Sequence, residues 1–326
     1  MSASSAAYEN CRLCGKRCGV NRNKGELGFC GASSRLKLAW AGLHFGEEPV
    51  ISGGGGSGTV FVSGCGLKCF FCQNHELSLG GKGRECQPGE FADICLMLQR
   101  RGAENINIVT GTHYAPSLAE GIINARKRGL RLPVVWNCSG YDDTCALPIL
   151  NEFVDIYLPD LKTLDPQLSR EIFGDSSYPD IAKEVLPAMA ASRPLRYSGE
   201  TLISGTIVRH LVLPGYMENT REALGWFARE LAGKALLSLM FQYTPPAKKD
   251  ASREKLMRRI TAAEYGEVLG FLEELGIEDG FIQEAPEGED CLPDFSRRDS
   301  FPLDIARVFW FYGDYRETAG GPGAAE

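Results

Sequence analysis

Apolar stretches of strand length alternate with helical patterns along the chain from residue 59 onward. The stretches are short, rich in β-branched and aromatic residues, and separated by turn-forming segments, which is typical of buried strands. They occupy residues 59–63, 105–110, 133–137, 154–158, 206–213 and 236–242. Because strands that alternate with helices form parallel sheets with helical crossovers, the pattern predicts repeated βα units.

Two other segments carry specific helix signals. Pro88 suits the first position of a helix, and the apolar residues after it recur at i, i+3, i+4 and i+7, which places them on one face. These residues are Phe91, Ile94, Cys95 and Leu98. Cys95 is therefore predicted to lie in the core. At the end of the repeating section, Thr261 and Glu264 have the spacing of a helix capping box.

The pattern divides the chain into three regions. Residues 1–57 hold a cysteine-dense segment at 11–31, residues 58–275 hold the βα units, and residues 276–326 form a C-terminal extension that ends in a glycine- and alanine-rich tail. A glycine-rich stretch at 52–58 separates the first two regions. We interpret it as a flexible joint, although glycine also permits close packing near a ligand.

Composition narrows the class of protein. The 326 residues are 44% hydrophobic and 24% charged, which predicts one large folded domain with an appendage. The net charge of −7, with no basic cluster, argues against a nucleic-acid partner. The first residues lack a signal peptide, and no apolar run reaches 18 residues, so we expect a cytoplasmic protein with no membrane partner.

Three cysteines follow the first predicted strand within eight residues. Cys65, Cys69 and Cys72 place three thiols on one compact loop, a spacing that can hold three irons of a [4Fe–4S] cluster and leave the fourth iron open. Loops at the carboxyl ends of barrel strands are also where α/β barrels build active sites. Two alternatives are a structural zinc site completed by His75 and a chance cluster of buried cysteines.

The three-cysteine loop resembles the signature of the radical-SAM superfamily. Further segments are similar to an uncharacterised branch related to pyruvate formate-lyase-activating enzymes. They are 43–49, Gly58-Thr59, 72–74, 137–141, 158–162 and 209–215. The resemblance implies an α/β fold, a partial (β/α)6 barrel, with the cysteine-rich segment before it and the extension after it. It also implies that the open iron binds S-adenosylmethionine (SAM) and that SAM is cleaved reductively to methionine and a 5′-deoxyadenosyl radical.

The same resemblance implies roles for individual residues. Phe71 matches an aromatic position beside the adenine of SAM, and Lys162 and Arg209 match strand positions that contact SAM. Asn137 and Asp160 are polar groups at strand ends that are expected to face the cavity and contact the cofactor. The alternatives are an ordinary apolar loop residue for Phe71 and ion-pair residues lining the barrel for the two cations.

One motif departs from the family pattern. Activating enzymes carry Gly-Gly-Glu after the second strand, where the glutamate holds the amino group of SAM, but this chain has Thr110-Gly111-Thr112-His113-Tyr114. Thr112 or His113 takes part of that role in this interpretation, and His113 is a candidate proton donor or acceptor. Cys138 is a second candidate catalytic residue, expected to face the cavity, with a small buried residue as the alternative.

A second cysteine group precedes the barrel. Its members are Cys11, Cys14, Cys18 and Cys30, three of which are followed by glycine. Four thiols within twenty residues predict a metal site. A tetrahedral set suits zinc or a single iron, and four cysteines equally suit a second [4Fe–4S] cluster, so the metal stays open. Cys86, Cys145 and Cys291 are unassigned.

Three functions compete at this point. The first is an activase that abstracts hydrogen from a glycine of a partner glycyl-radical enzyme. The second is radical modification of a small molecule or a peptide, and the third is a non-catalytic iron–sulfur or zinc scaffold. Either enzymatic function requires an electron donor of the flavodoxin or ferredoxin type.

Overall fold

The computed structural model describes residues 6–283 and 292–314. Its strands, in chain order, are β1 Lys37–His44, β2 Ser57–Val62, β3 Arg84–Glu85, β4 Ile106–Val109, β5 Val134–Cys138, β6 Ile156–Pro159, β7 Arg196–Ser198, β8 Thr201–Leu211, β9 Leu236–Met240, β10 Gly280–Gln283 and β11 Ala306–Phe311. They form one sheet in the order β10-β9-β8-β6-β5-β4-β2-β1-β11, with β3 paired to β1 and β7 paired to β8.

The parallel part of the sheet confirms the predicted α/β class. Each of the six predicted strands overlaps an observed one, namely β2, β4, β5, β6, β8 and β9, and these pair in parallel in that order. A seventh strand, β10, extends the parallel part beyond β9. Within the described ranges the sheet is open, because its order ends at β10 on one side and at β11 on the other.

Helices connect the strands. They are α1 Pro49–Ser52, α2 His75–Ser78, α3 Pro88–Arg100, α4 Ala115–Lys127, α5 Leu147–Leu150, α6 Pro166–Phe173, α7 Tyr178–Ser192, α8 Met217–Glu230 and α9 Ala262–Leu275, with 3-10 turns at Arg22–Lys24, Thr112–Tyr114, Thr144–Ala146, Ala251–Met257 and Tyr312–Asp314. Helix α3 begins at Pro88 and buries Cys95, as predicted. The capping box of Thr261 and Glu264 is present at the start of α9. Within the described part of the chain, no helix has the length and apolarity needed to cross a membrane.

The sheet also contains four strands in antiparallel pairs that the βα pattern did not predict. Strand β1 pairs with β2, β11 from the C-terminal extension pairs with β1, and the short strands β3 and β7 pair with β1 and β8. The sheet therefore crosses the predicted boundary at residue 57. The glycine-rich stretch, interpreted from the sequence as a joint, instead connects two neighbouring strands: a Cβ on Gly55 would lie 2.1 Å from the Gly102 carbonyl oxygen. Close packing explains these glycines better than flexibility does.

One face of the curved sheet forms the interior. Side chains alternate along a strand, and the parallel register places Asn107, Val135, Ile156 and Gly205 in line across β4, β5, β6 and β8. The floor of this interior is an apolar cluster that includes Ile51 of α1. Towards the carboxyl ends of the strands the interior becomes polar, which positions the site described below.

Candidate active site at the carboxyl ends of the strands

The cluster loop, residues 64–72, begins directly after β2. Cys65 and Cys69 are buried, and Cys72 is half-buried. The Leu67 amide donates to Cys65 Sγ at 3.3 Å, and Ser78 Oγ donates to Cys72 Sγ at 3.2 Å. Donors of this kind stabilise negatively charged sulfur. Two of the three sulfurs on the loop therefore already accept a hydrogen bond.

Lys162 provides a positive charge beside these thiols. Burial raises the pKa of all three cysteines, and the ammonium of Lys162 opposes that rise at each of them. Lys162 Nζ donates to Asp160 Oδ2 at 2.7 Å. Burial would lower the pKa of Lys162, but Asp160 and Cys69 outweigh it and raise that pKa. A cation is thus retained at the mouth of the barrel, next to the cysteine loop.

The donor set matches an iron–sulfur cluster better than a structural zinc. Among the residues the structure describes, no three His, Cys, Asp or Glu side chains are already gathered around a point that could hold a metal ion. The fit therefore rests on the chemistry of the three neighbouring thiols. His75, the fourth ligand in the zinc alternative, lies exposed at the start of α2, whereas Cys65 and Cys69 are buried.

The remaining predicted cofactor contacts lie around the same mouth. Phe71 is buried, with its ring edge-to-face on Tyr243 at a centroid distance of 5.5 Å. Asn137 of β5 pairs in register with Leu158 of β6, and the backbones of Asp160 and Arg209 form a short parallel β-bridge. Asn137 is two residues after Val135 in β5, so both side chains lie on the interior side of the sheet. Their contacts with SAM stay predictions.

Cys138 lies on the opposite side of the sheet. It is adjacent to Asn137 in β5, so its side chain points away from the interior, and it is fully buried within the layer of helices with Trp136. The expectation that it faces the cavity is therefore not met. Its neighbour there is Asp142, whose Oδ1 accepts from Trp136 Nε1 at 3.0 Å and from Thr112 Oγ1 at 2.9 Å.

His113 is held by Ser63, the residue that joins β2 to the cluster loop. Its Nε2 donates to the Ser63 carbonyl oxygen at 2.7 Å, and its ring packs against that of Tyr114 with a centroid distance of 4.3 Å and a tilt of 47°. Burial lowers the pKa of His113 to about 4, so the ring is neutral at pH 7. These contacts make His113 a positioning residue for the loop, and its predicted role in proton transfer gains no support from them.

Arg209 is bound by two glutamates that the sequence interpretation did not identify as site residues. Arg209 Nε donates to Glu48 Oε1 at 2.8 Å, and Nη2 donates to Glu48 Oε2 at 2.6 Å and to Glu47. Glu47 also accepts from Asn107 Nδ2 at 3.0 Å. The ion-pair alternative for Arg209 is thus the observed arrangement. The available signal was two adjacent carboxylates, Gly46-Glu47-Glu48-Pro49, at the end of an otherwise apolar strand.

The N-terminal cysteines pack directly against the cluster loop. A Cβ on Gly66 would lie 3.0 Å from Cys14 Sγ, and one on Gly64 would lie 2.7 Å from the Cys30 carbonyl oxygen. Arg22 is buried among these cysteines, and its Nη2 donates to Cys30 Sγ at 3.2 Å. The two cysteine groups are therefore neighbours, and the second is associated with a buried cation.

A cavity of about 560 Å³ opens elsewhere, between the N-terminal segment and the starts of α3 and α4. Its lining includes Tyr8, Glu85 and Ser117 and none of the predicted site residues. Its location makes it unrelated to the cysteine loop.

Comparison with known proteins identifies the family. The model of the Radical SAM superfamily matches residues 59–226, which is more than half of the chain. The protein belongs to the radical SAM superfamily. Membership implies a [4Fe–4S] cluster and SAM as cofactors, and the thiols of the cluster loop are the residues that would hold the cluster.

Three individual proteins show how similar this chain is to its relatives. The chain is 30% identical over 281 residues, 83% of its length and 76% of the relative's, to "Uncharacterized protein MJ0674" of Methanocaldococcus jannaschii. A radical SAM methyltransferase from Sphaerobacter thermophilus is 19% identical, with a TM-score of 0.43 and coverage of 71% of this chain and 67% of that one. A domain of pyruvate-formate lyase-activating enzyme from Bacteroides vulgatus is 12% identical, with a TM-score of 0.34 and coverage of 60% and 91%.

Proposed function

We propose that the protein is an enzyme that cleaves SAM reductively at a [4Fe–4S] cluster bound by Cys65, Cys69 and Cys72. The observation that carries the proposal is the position of the three thiols, on one loop at the carboxyl ends of parallel strands and beside the half-buried cation Lys162. When bound and reduced by one electron, such a cluster cleaves SAM to methionine and a 5′-deoxyadenosyl radical. The electron comes from a donor of the flavodoxin or ferredoxin type.

The chain's own residues bind and orient the cofactor in this proposal. The Lys162 ammonium, partly exposed at the mouth, is placed to bind a carboxylate. Phe71 offers a ring face or edge to the adenine, and Asn137 and Asp160 offer hydrogen-bonding groups on the interior side. The Phe295 and Phe301 rings pack on Phe61 and exclude water from the β2 side of the interior, where a radical would otherwise be quenched.

For the target of the radical, we propose hydrogen abstraction from a glycine of a partner enzyme, on the resemblance of several segments to activating enzymes. This proposal predicts a glycine-centred EPR doublet when a candidate glycyl-radical enzyme is added to the reduced protein with SAM. If the doublet is absent while SAM is cleaved, the radical acts on a small molecule or a peptide instead.

Binding of SAM to the open iron is tested by EPR of the reconstituted, reduced protein. We expect the g values of the reduced cluster to change when SAM is added, because its amino and carboxylate groups enter the coordination of the open iron. The matched ligand is S-adenosylhomocysteine, which contains the same groups but cannot be cleaved in the same way. An unchanged spectrum with both ligands contradicts the proposal and favours the scaffold alternative.

We further propose that Cys11, Cys14, Cys18 and Cys30 hold a second metal. We expect the Cys11→Ala/Cys14→Ala variant, purified without oxygen, to lose about four irons and four sulfides per chain if the site holds a cluster. It loses about one iron or one zinc if the site is tetrahedral. Cys86→Ala, at a buried cysteine outside both groups, is the control. If the wild type, the double variant and Cys86→Ala contain equal amounts of iron, sulfide and zinc, the second metal site is ruled out.

A further inference from the structure

We propose that Glu47 and Asn107 form a binding site for a primary ammonium group inside the barrel. The site lies between the apolar floor and the mouth, where Glu47 bridges Asn107 and Arg209. The inference rests on the proposed function, because it assigns a ligand group to the same cavity.

Negative charge is in excess in the layer formed by Glu47, Glu48 and Arg209. Glu48 accounts for most of the binding of Arg209, with two hydrogen bonds to the guanidinium and a further one accepted from Ser238. Glu47 shares the same guanidinium through one oxygen, so two carboxylates face one cation. His44 Nδ1 lies 3.5 Å from Glu47 Oε1, but burial lowers the pKa of His44 and leaves the imidazole neutral at pH 7. A second cation would complete the layer.

An unsatisfied acceptor lies at the same place. Asn107 is fully buried, its Nδ2 donates to Glu47 Oε1, and its Oδ1 has no hydrogen-bond partner. A buried amide oxygen without a partner costs free energy. An ammonium group placed beside the Glu47–Asn107 hydrogen bond would donate to the Glu47 carboxylate and to Asn107 Oδ1, which makes the two residues a complementary pair for such a group.

The layer is not fully sealed. The side chains of Glu47 and Arg209 are 8% and 13% exposed, and that of Lys162 is 14% exposed. We assign the ammonium to an amine-bearing substrate, because in the proposed function the amino and carboxylate groups of SAM bind the open iron.

The test measures binding with the cluster oxidised, so that it does not depend on SAM cleavage. The proteins are wild type, Glu47→Gln, which keeps the shape and removes the charge, and Glu152→Gln as an exposed control. The probes are SAM, the SAM analogue with hydrogen in place of the amino group, and n-butylammonium chloride. Losing a charged hydrogen-bonded pair should weaken binding about 10- to 100-fold.

The expected result is that SAM, bound at the open iron, has the same affinity for wild type and Glu47→Gln, as does its amino-free analogue, whereas n-butylammonium loses affinity for Glu47→Gln by that factor. Equal binding of all probes to wild type and Glu47→Gln overturns the proposal. Should Glu47→Gln fail to fold, Asn107→Leu replaces it. Equal binding of n-butylammonium to wild type and Asn107→Leu likewise overturns the proposal.

Discussion

Replacing Cys69 by alanine is expected to abolish formation of 5′-deoxyadenosine from SAM and to reduce iron by about four atoms per chain relative to the wild type. Two thiols on one loop cannot hold three irons, and Cys69 is the buried central member of the set. It also interacts electrostatically with both other cysteines and with Lys162. The measurement is iron, sulfide and 5′-deoxyadenosine on protein reconstituted and reduced without oxygen.

The matched control is Cys95→Ala. Cys95 is equally buried but lies in α3, away from both cysteine groups, so its loss should leave the iron content and the activity unchanged at a modest loss of stability. Iron bound to Cys69→Ala in wild-type amount, with undiminished activity, would show that the cluster has other ligands.

Replacing Arg209 by methionine is expected to destabilise the fold by about 3–5 kcal/mol at pH 7, because two buried carboxylates lose their cation. Burial alone would raise the pKa of Glu48, but Arg209 outweighs burial and lowers that pKa. Without Arg209 burial is the largest remaining effect, opposed only by hydrogen bonds from Ser238 and from the backbone, so the carboxyl pKa in the folded variant should lie above its unfolded value. The stability lost by Arg209→Met is then largest above that raised pKa and is recovered as the pH falls below the unfolded value near 4.5.

The free energy of unfolding, measured with urea at several pH values, tests this. The double variant Arg209→Met/Glu48→Met replaces the bidentate pair with apolar side chains and should be more stable than the single variant. A loss below about 1 kcal/mol for Arg209→Met, with no dependence on pH, would mean that the ion pair is not buried as described.

The strands and the cysteine loop could be predicted because their signals are local. A run such as 133–137 is strand-like by its own composition, and Cys65, Cys69 and Cys72 are close in sequence. The interior ion pair has no local signal: Glu47 and Arg209 are 162 positions apart, and only the tertiary fold brings them together. No local pattern encodes that contact.

Two further expectations depended on how the strands are placed in the sheet. Cys138 was expected in the cavity because it ends a strand, but a shift of one residue along a strand reverses the face, and the neighbouring Asn137 holds the interior position. Likewise, the glycine-rich stretch resembles a joint until β1 and β11 are known to extend the sheet across it. Cys291 lies outside the described ranges.

The most direct test of the central claim is incubation of the reduced, reconstituted wild-type protein with SAM, followed by chromatographic detection of 5′-deoxyadenosine and methionine. We expect both products in equal amounts, formed only when cluster, reductant and SAM are all present. Neither product above the level of a cluster-free sample would contradict the assignment of this chain as a SAM-cleaving enzyme.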